Sequence, residues 1–208
     1  MYKRQRSTTV RGDSEKIDDA IAYVRDDVMP AVQDMSGCVG LSMICDRESG
    51  RCIVTTAWAD ETAMHATEEA VRPMRERFAE MYGGQAEVNE WEIAILHRMH
   101  EAPEGACTRV TWTRGDAAEM DRTVDTLRMA LLPRLEDLDG FCSISVMVNR
   151  DNGMSALAAT YMNRETMRGT REAVAKMRDE FTQQLGMEVM DIAEFDLVLA
   201  HLRVPETV

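Results

Sequence analysis

Two histidines close the final apolar runs of the chain's two halves: His97 in Leu96-His97-Arg98 and His201 in Ala200-His201-Leu202-Arg203. An imidazole titrates near neutrality, so beside a bound molecule it can serve as a general base or donate a hydrogen bond. The competing reading is a strand end tied to an acidic neighbour. Glu92 and Asp196 match across the halves at the same spacing as the histidines. Each alternates with apolar residues, so one face of each final strand carries a carboxylate. Turned into an enclosed interior, such an acid is desolvated, its pKa rises and it becomes a candidate base. Turned toward helices or solvent, it is a salt-bridge partner. No metal is expected: His97 and His100 lie close in sequence, but two imidazoles without a third ligand do not make a zinc site. The five cysteines contain no CxxC pair and their number is odd, which argues against a disulfide framework. Cys45 and Cys52 could face each other across a hairpin, and the expectation for them is two small buried hydrophobes in a reducing cytoplasm.

The histidine match is one term of a longer series. Arg11-Gly12-Asp13 recurs as Arg114-Gly115-Asp116, and at the same separation Pro30 pairs with Pro133, Gly37 with Gly140 and Arg47 with Arg150. Gly50 pairs with Gly153, Met64 with Met167, Phe78 with Phe181 and Gly83 with Gly186. The chain reads as a tandem duplication, with repeats at 1–102 and 103–208. The final strand of the second repeat has gained one residue. The Arg-Gly-Asp tripeptides read as a turn followed by a helix-capping acid.

Within each repeat the patterns alternate between strand and helix. Arg109-Val110-Thr111-Trp112-Thr113 reads as a strand, and residues 6–10 are its weaker counterpart. Ile17, Ile21, Val24 and Val28, and then Met120, Val124, Leu127 and Leu131, fall at helical spacing. Pro30 and Pro133 are expected to kink or end those helices. Val39–Cys45 and Cys52–Trp58, like Cys142–Val148 and Ser155–Tyr161, are apolar runs joined by polar turns and predict hairpins. Asp60 and Asn163 cap second helices that run to about Met81 and Leu185. A last alternating strand follows in each repeat. The order β-α-β-β-α-β is ferredoxin-like, and the class is α+β. The helices cover one sheet face; the other needs a cover, and the second copy, packed sheet to sheet, is the expected one.

The net charge of −13 argues against nucleic acid, which rewards lysine and arginine at phosphates, and against anionic membranes. No apolar run reaches the roughly 20 residues of a bilayer span, and the basic start lacks the apolar stretch of a secretory signal. The cytoplasm is the expected address.

The hairpin-to-helix junctions carry a further signal: Trp58, Asp60, Ala63 and Met64, then Tyr161, Asn163, Thr166 and Met167. With the duplicated ferredoxin-like order, they make residues 7–203 resemble the dimeric α/β-barrel superfamily, and within it the antibiotic-biosynthesis-monooxygenase-like domains in tandem duplication. The chain is most similar to duplicated actinobacterial proteins of that type. The resemblance implies two ferredoxin-like units closing one barrel within a single chain, an intrachain pseudo-dimer that could pair again as a homodimer. It also implies oxidation of a small aromatic substrate without metal or flavin, hence no cofactor. Pocket aromatics would then be Trp58, Trp91, Trp112, Tyr161 and Phe195, whose plainer role is packing. The chain departs from the family where Thr67 and Thr170 stand in place of a frequent histidine. It also lacks the asparagine and tryptophan of the haem-degrading branch. These departures favour a second reading, a ligand-binding or stress-associated barrel that has lost the catalytic site.

Overall fold

The computed structural model describes residues 3–202. The first repeat contributes strands β1 (Arg4–Arg11), β2 (Cys38–Asp46), β3 (Arg51–Trp58) and β4 (Ala86–Arg98), with helices α1 (Ile17–Tyr23), α2 (Met29–Gln33), α3 (Glu61–Ala66) and α4 (Glu68–Tyr82). The second repeats the order with β5 (Cys107–Arg114), α5 (Met120–Thr126), α6 (Leu132–Glu136), β6 (Phe141–Asn149), β7 (Met154–Tyr161), α7 (Arg164–Gly169), α8 (Arg171–Leu185) and β8 (Glu188–Leu202). The strands follow the order β1-β3-β2-β8-β5-β7-β6-β4 and form a closed barrel, so the α+β ferredoxin-like reading holds. One compact unit holds residues up to Glu92 together with the end of β8 from Leu197. The other runs from Ile93 to Asp196.

Each unit builds its own core between sheet and helices. In the first, Ile17, Val24, Val28 and Val32 meet Leu41, Met43 and Phe78. In the second, Met120, Leu127, Leu131 and Leu135 meet Ile144, Val146 and Phe181. The prolines neither end nor sharply break the first helices. Instead, Val24–Val28 and Leu127–Leu131 each widen into a π turn between α1 and α2 and between α5 and α6. Pro30 and Pro133 then sit in the first turn of α2 and α6, where a missing N–H costs least.

The repeated turns have matching reasons. Asp13 and Asp116 accept hydrogen bonds from the backbone amides of Glu15 and Ala118 at 3.0 and 2.9 Å, as helix-start acids should. The Gly12 amide donates to the Gly50 carbonyl at 3.0 Å, and Gly115 to Gly153 at 2.9 Å. Gly50 and Gly153 adopt φ of +67° and +71°, and a Cβ on either would run into the carbonyl of Gly12 or Gly115. The hairpin arginines reach the first helices: Arg47 meets Asp18 at 2.8 Å and Arg150 meets Asp121 at 2.7 Å.

Candidate functional site

The second helices are interrupted at Thr67 and Thr170. Asp60 and Asn163 cap α3 and α7, accepting from Ala63 N and Thr166 N at 2.8 and 2.9 Å. Each short helix then stops at Thr67 or Thr170, whose hydroxyl turns back to donate to the carbonyl of Met64 or Met167 at 2.9 Å. A buried arginine from the first strand of the repeat reaches the same carbonyl. Arg109 Nη2 donates to Met167 O at 2.7 Å, and Arg6 Nη2 to Met64 O at 3.4 Å. Each arginine is also paired with a carboxylate from the last strand of its repeat: Arg109 with Glu194 at 2.9 Å and Arg6 with Glu90 at 2.7 Å. Burial works to raise the pKa of Glu194, but hydrogen bonds from Arg171 and Arg109 outweigh it and hold the carboxyl below its ordinary value. Glu90 is lowered too, with burial opposed by hydrogen bonds from His65 and Arg6.

A cavity opens in the second repeat between the helix-covered face of the sheet, the π turn Leu127–Leu131 and helices α6 and α8. The ≈ 600 Å³ between these walls includes open solvent at the mouth, and the enclosed part is much smaller. Leu127, Leu131, Leu135, Ile144, Met177 and Phe181 give it an apolar wall. Tyr161 and Arg109 stand at its buried end, 0% and 6% exposed. The half-buried Thr182, Met187 and Arg178 stand toward its open side. The Arg109 guanidinium lies 5.7 Å from the Tyr161 ring centroid. The buried Tyr161 hydroxyl has no hydrogen-bond partner of good geometry among the described residues, although Thr170 and Arg109 adjoin it. Burial, the largest influence, pushes its phenol upward, so at neutral pH it is a hydrogen-bond donor. In the first repeat the matching ring is Trp58, whose Nε1 donates to Thr56 Oγ1 at 3.1 Å. Ala159 replaces that threonine in the second repeat, and with it goes the ring's partner.

Of the sequence-predicted residues, Tyr161 lines this cavity. Trp58, fully buried, occupies the equivalent place in the first unit. Register and side-chain alternation put Trp91, Trp112 and Phe195 on the other sheet face. Trp91 Nε1 donates to Ser7 Oγ at 2.9 Å, and Trp112 meets Phe195 edge-on with centroids 6.4 Å apart. Glu92 lies opposite Arg4 on the helix-facing side and is 2% exposed. Asp196 lies opposite Cys107, pairs with Arg164 and accepts from the Cys107 thiol at 3.4 Å. Burial, reinforced by Asp196, pushes that thiol up to about 11, which makes it a poor nucleophile. His97 Nε2 is 2.8 Å from a Glu136 carboxylate oxygen, and His201 is half-buried near the end of β8. These four polar residues are therefore not gathered at the cavity. Arg6 and Arg109 were missed. Their match at the repeat separation was visible, but an arginine on an alternating strand reads as surface until its carbonyl and carboxylate partners are placed.

Cys45 and Cys52 stand directly opposite in the β2–β3 register and are joined as a disulfide, contrary to the expectation of two separate thiols. Among the described residues no group of histidine, cysteine and carboxylate side chains has metal-site geometry, and no helix is long and apolar enough to cross a membrane.

The uncharacterised protein Rv2557 of Mycobacterium tuberculosis is 48% identical over 203 residues, which cover 98% of this chain and 91% of that protein. The chain belongs to the Rv2557 family. No family model matches this member. Its fold is shared with an anthrone oxidase-like protein (TM-score 0.71, 9% identity, 100% of this chain and 96% of the other). A Listeria monocytogenes ferredoxin-fold protein described as related to antibiotic biosynthesis monooxygenases gives a TM-score of 0.56 at 6% identity, with 95% of each chain covered. At these identities the likeness is one of fold alone.

Proposed function

We propose that the chain binds a compact, mostly apolar molecule in the second-repeat cavity and oxidises it there as a cofactor-independent monooxygenase of electron-rich aromatics. One observation carries the reading: an apolar wall closed at its inner end by an unpartnered phenol hydroxyl beside a buried guanidinium. Such an end suits an oxygen that becomes anionic when a phenol or an activated ring methylene loses its proton. Tyr161 donates to that oxygen, and the Arg109 charge favours the anion. The lining residues include no carboxylate, histidine or lysine, so the substrate must ionise through its own acidity. The overall change closes without an external reductant. A ring methylene and one dioxygen give a ring carbonyl and one water: both C–H bonds break, one oxygen atom forms the C=O bond, and the other leaves as water with the two hydrogens. The carbon supplies all four electrons. The anthrone oxidase-like neighbour supports this substrate class by fold.

The absent base also favours a second reading, a binding barrel that holds such a molecule without turning it over. Oxygen uptake with anthrone-type and phenolic substrates, measured beside binding by tryptophan fluorescence, separates the two. Uptake that falls at least tenfold in Tyr161→Phe supports the oxidase. Binding without uptake leaves the second reading. Neither binding nor uptake overturns both.

A further inference from the structure

The two repeats disagree at one charged position, and the disagreement falls on the cavity. In the first repeat the Glu68 carboxylate bridges two arginines, with one oxygen 2.9 Å from Arg6 Nη1 and the other 2.6 Å from Arg75 Nη2. Arg75 is the hydrogen-bond donor that most lowers the Glu68 pKa, so the carboxylate is held ionised between them. The counterparts of Arg6 and Arg75 are Arg109 and Arg178, and both line the second-repeat cavity. The counterpart of Glu68 is Arg171, which turns away to Glu194, with its Nη2 2.5 Å from that carboxylate. The bridging carboxylate is therefore missing from the second repeat while both arginines remain. Among the described residues Arg109 Nη1 donates to Thr170 Oγ1 at 3.4 Å, and Arg178 turns to its exposed neighbour Asp179 at 2.7 Å.

We propose that the cavity takes a carboxylate-bearing aromatic, whose carboxylate occupies between Arg109 and Arg178 the place that Glu68 fills in the first repeat. This rests on the cavity being a ligand site. It adds the anionic group of the ligand and assigns Arg178 as the residue that selects for it. The internal copy supplies the placement: one carboxylate oxygen makes an ion-pair contact with Arg6 and the other accepts a hydrogen bond from Arg75. Arg109 Nη1 already donates to Thr170 Oγ1, so what a ligand carboxylate adds is charge pairing with Arg109, 6% exposed, and with Arg178. The apolar wall then receives the ring system.

Calorimetric titration with 2-naphthoate and its uncharged isostere 2-acetylnaphthalene tests the idea. At pH 7 and low salt the carboxylate binds at least tenfold more tightly, about 1.4 kcal/mol, and salt narrows the gap. Arg171→Glu rebuilds the first-repeat bridge from within, so it abolishes the preference while 2-acetylnaphthalene still binds; Arg171→Gln keeps the preference. Arg178→Gln, a half-buried change that leaves the Arg109–Glu194 pair intact, cuts the preference severalfold and carries the test should Arg171→Glu not fold. Equal binding of the two probes to the unaltered protein, or an undiminished preference in Arg178→Gln, overturns the carboxylate assignment and leaves the cavity reading standing. Failure of both probes to bind overturns the cavity reading itself.

Discussion

Replacing Glu194 by glutamine keeps the shape of the Arg109 site and removes its counter-charge. Arg109 approaches Glu194 through two nitrogens, Nε at 3.1 Å and Nη2 at 2.9 Å, and the two side chains are 7% and 16% exposed. Breaking such a pair on one side strands a buried charge, which costs about 3–5 kcal/mol in fully enclosed cases. Here Arg109 keeps its 2.7 Å bond to the Met167 carbonyl, and Glu194 is partly shared with the exposed Arg171. The low end applies, about 3 kcal/mol, which for a chain of this size lowers Tm by roughly 6–12 °C. The first repeat is an internal control. Glu90 is 40% exposed, and Arg6 retains Glu68 as a second carboxylate, so Glu90→Gln costs about 1 kcal/mol or less. Urea unfolding of both variants measures the difference. The double variant Arg109→Met, Glu194→Met costs less than either single change, because it leaves neither charge behind. The reasoning is refuted if Glu90→Gln proves as destabilising as Glu194→Gln, or if the Arg109 and Glu194 effects simply add.

The Glu194 pair also gives a pH dependence. The folded-state pKa lies below the ordinary value of 4.5, so the stabilisation is fully present above that value and is lost as pH falls through the folded pKa. The stability gap between the unaltered protein and Glu194→Gln should stay flat from pH 7 to about 5 and close in more acid solution; a gap that widens on acidification contradicts this. Gly153→Ala forces a side chain onto a left-handed backbone and into the Gly115 carbonyl, so it should destabilise by about 2 kcal/mol or more in chemical denaturation. Thiol counting in denaturant should find Cys38, Cys107 and Cys142 free before reduction and all five cysteines after it. In the native state Cys107, its thiol pushed up to about 11, should resist alkylation at pH 8; rapid modification there would contradict its buried setting.

The architecture could be read from sequence because it rests on local rules that the chain states twice. Glycines at left-handed turns, caps at Asp60 and Asn163, and apolar stripes at helical spacing each specify backbone geometry without reference to distant residues. The site was less legible because its key feature is a difference between the copies. Repetition drew attention to the histidines and to Glu92 and Asp196, which recur, yet the structure does not gather them at the cavity. What distinguishes the second unit is the set of departures: Tyr161 for Trp58, Ala159 for Thr56 and Arg171 for Glu68. The last two each remove an internal partner that the first unit keeps. A duplicated chain needs its fold-defining residues in both copies, but one copy is free to lose the side chains that satisfy its own interior once a ligand can supply their contacts. The retained residues therefore explain why both units fold. The unmatched ones, Ala159 and Arg171 above all, mark where the second unit lacks an internal contact that the first unit keeps, the contact that the proposed ligand would supply.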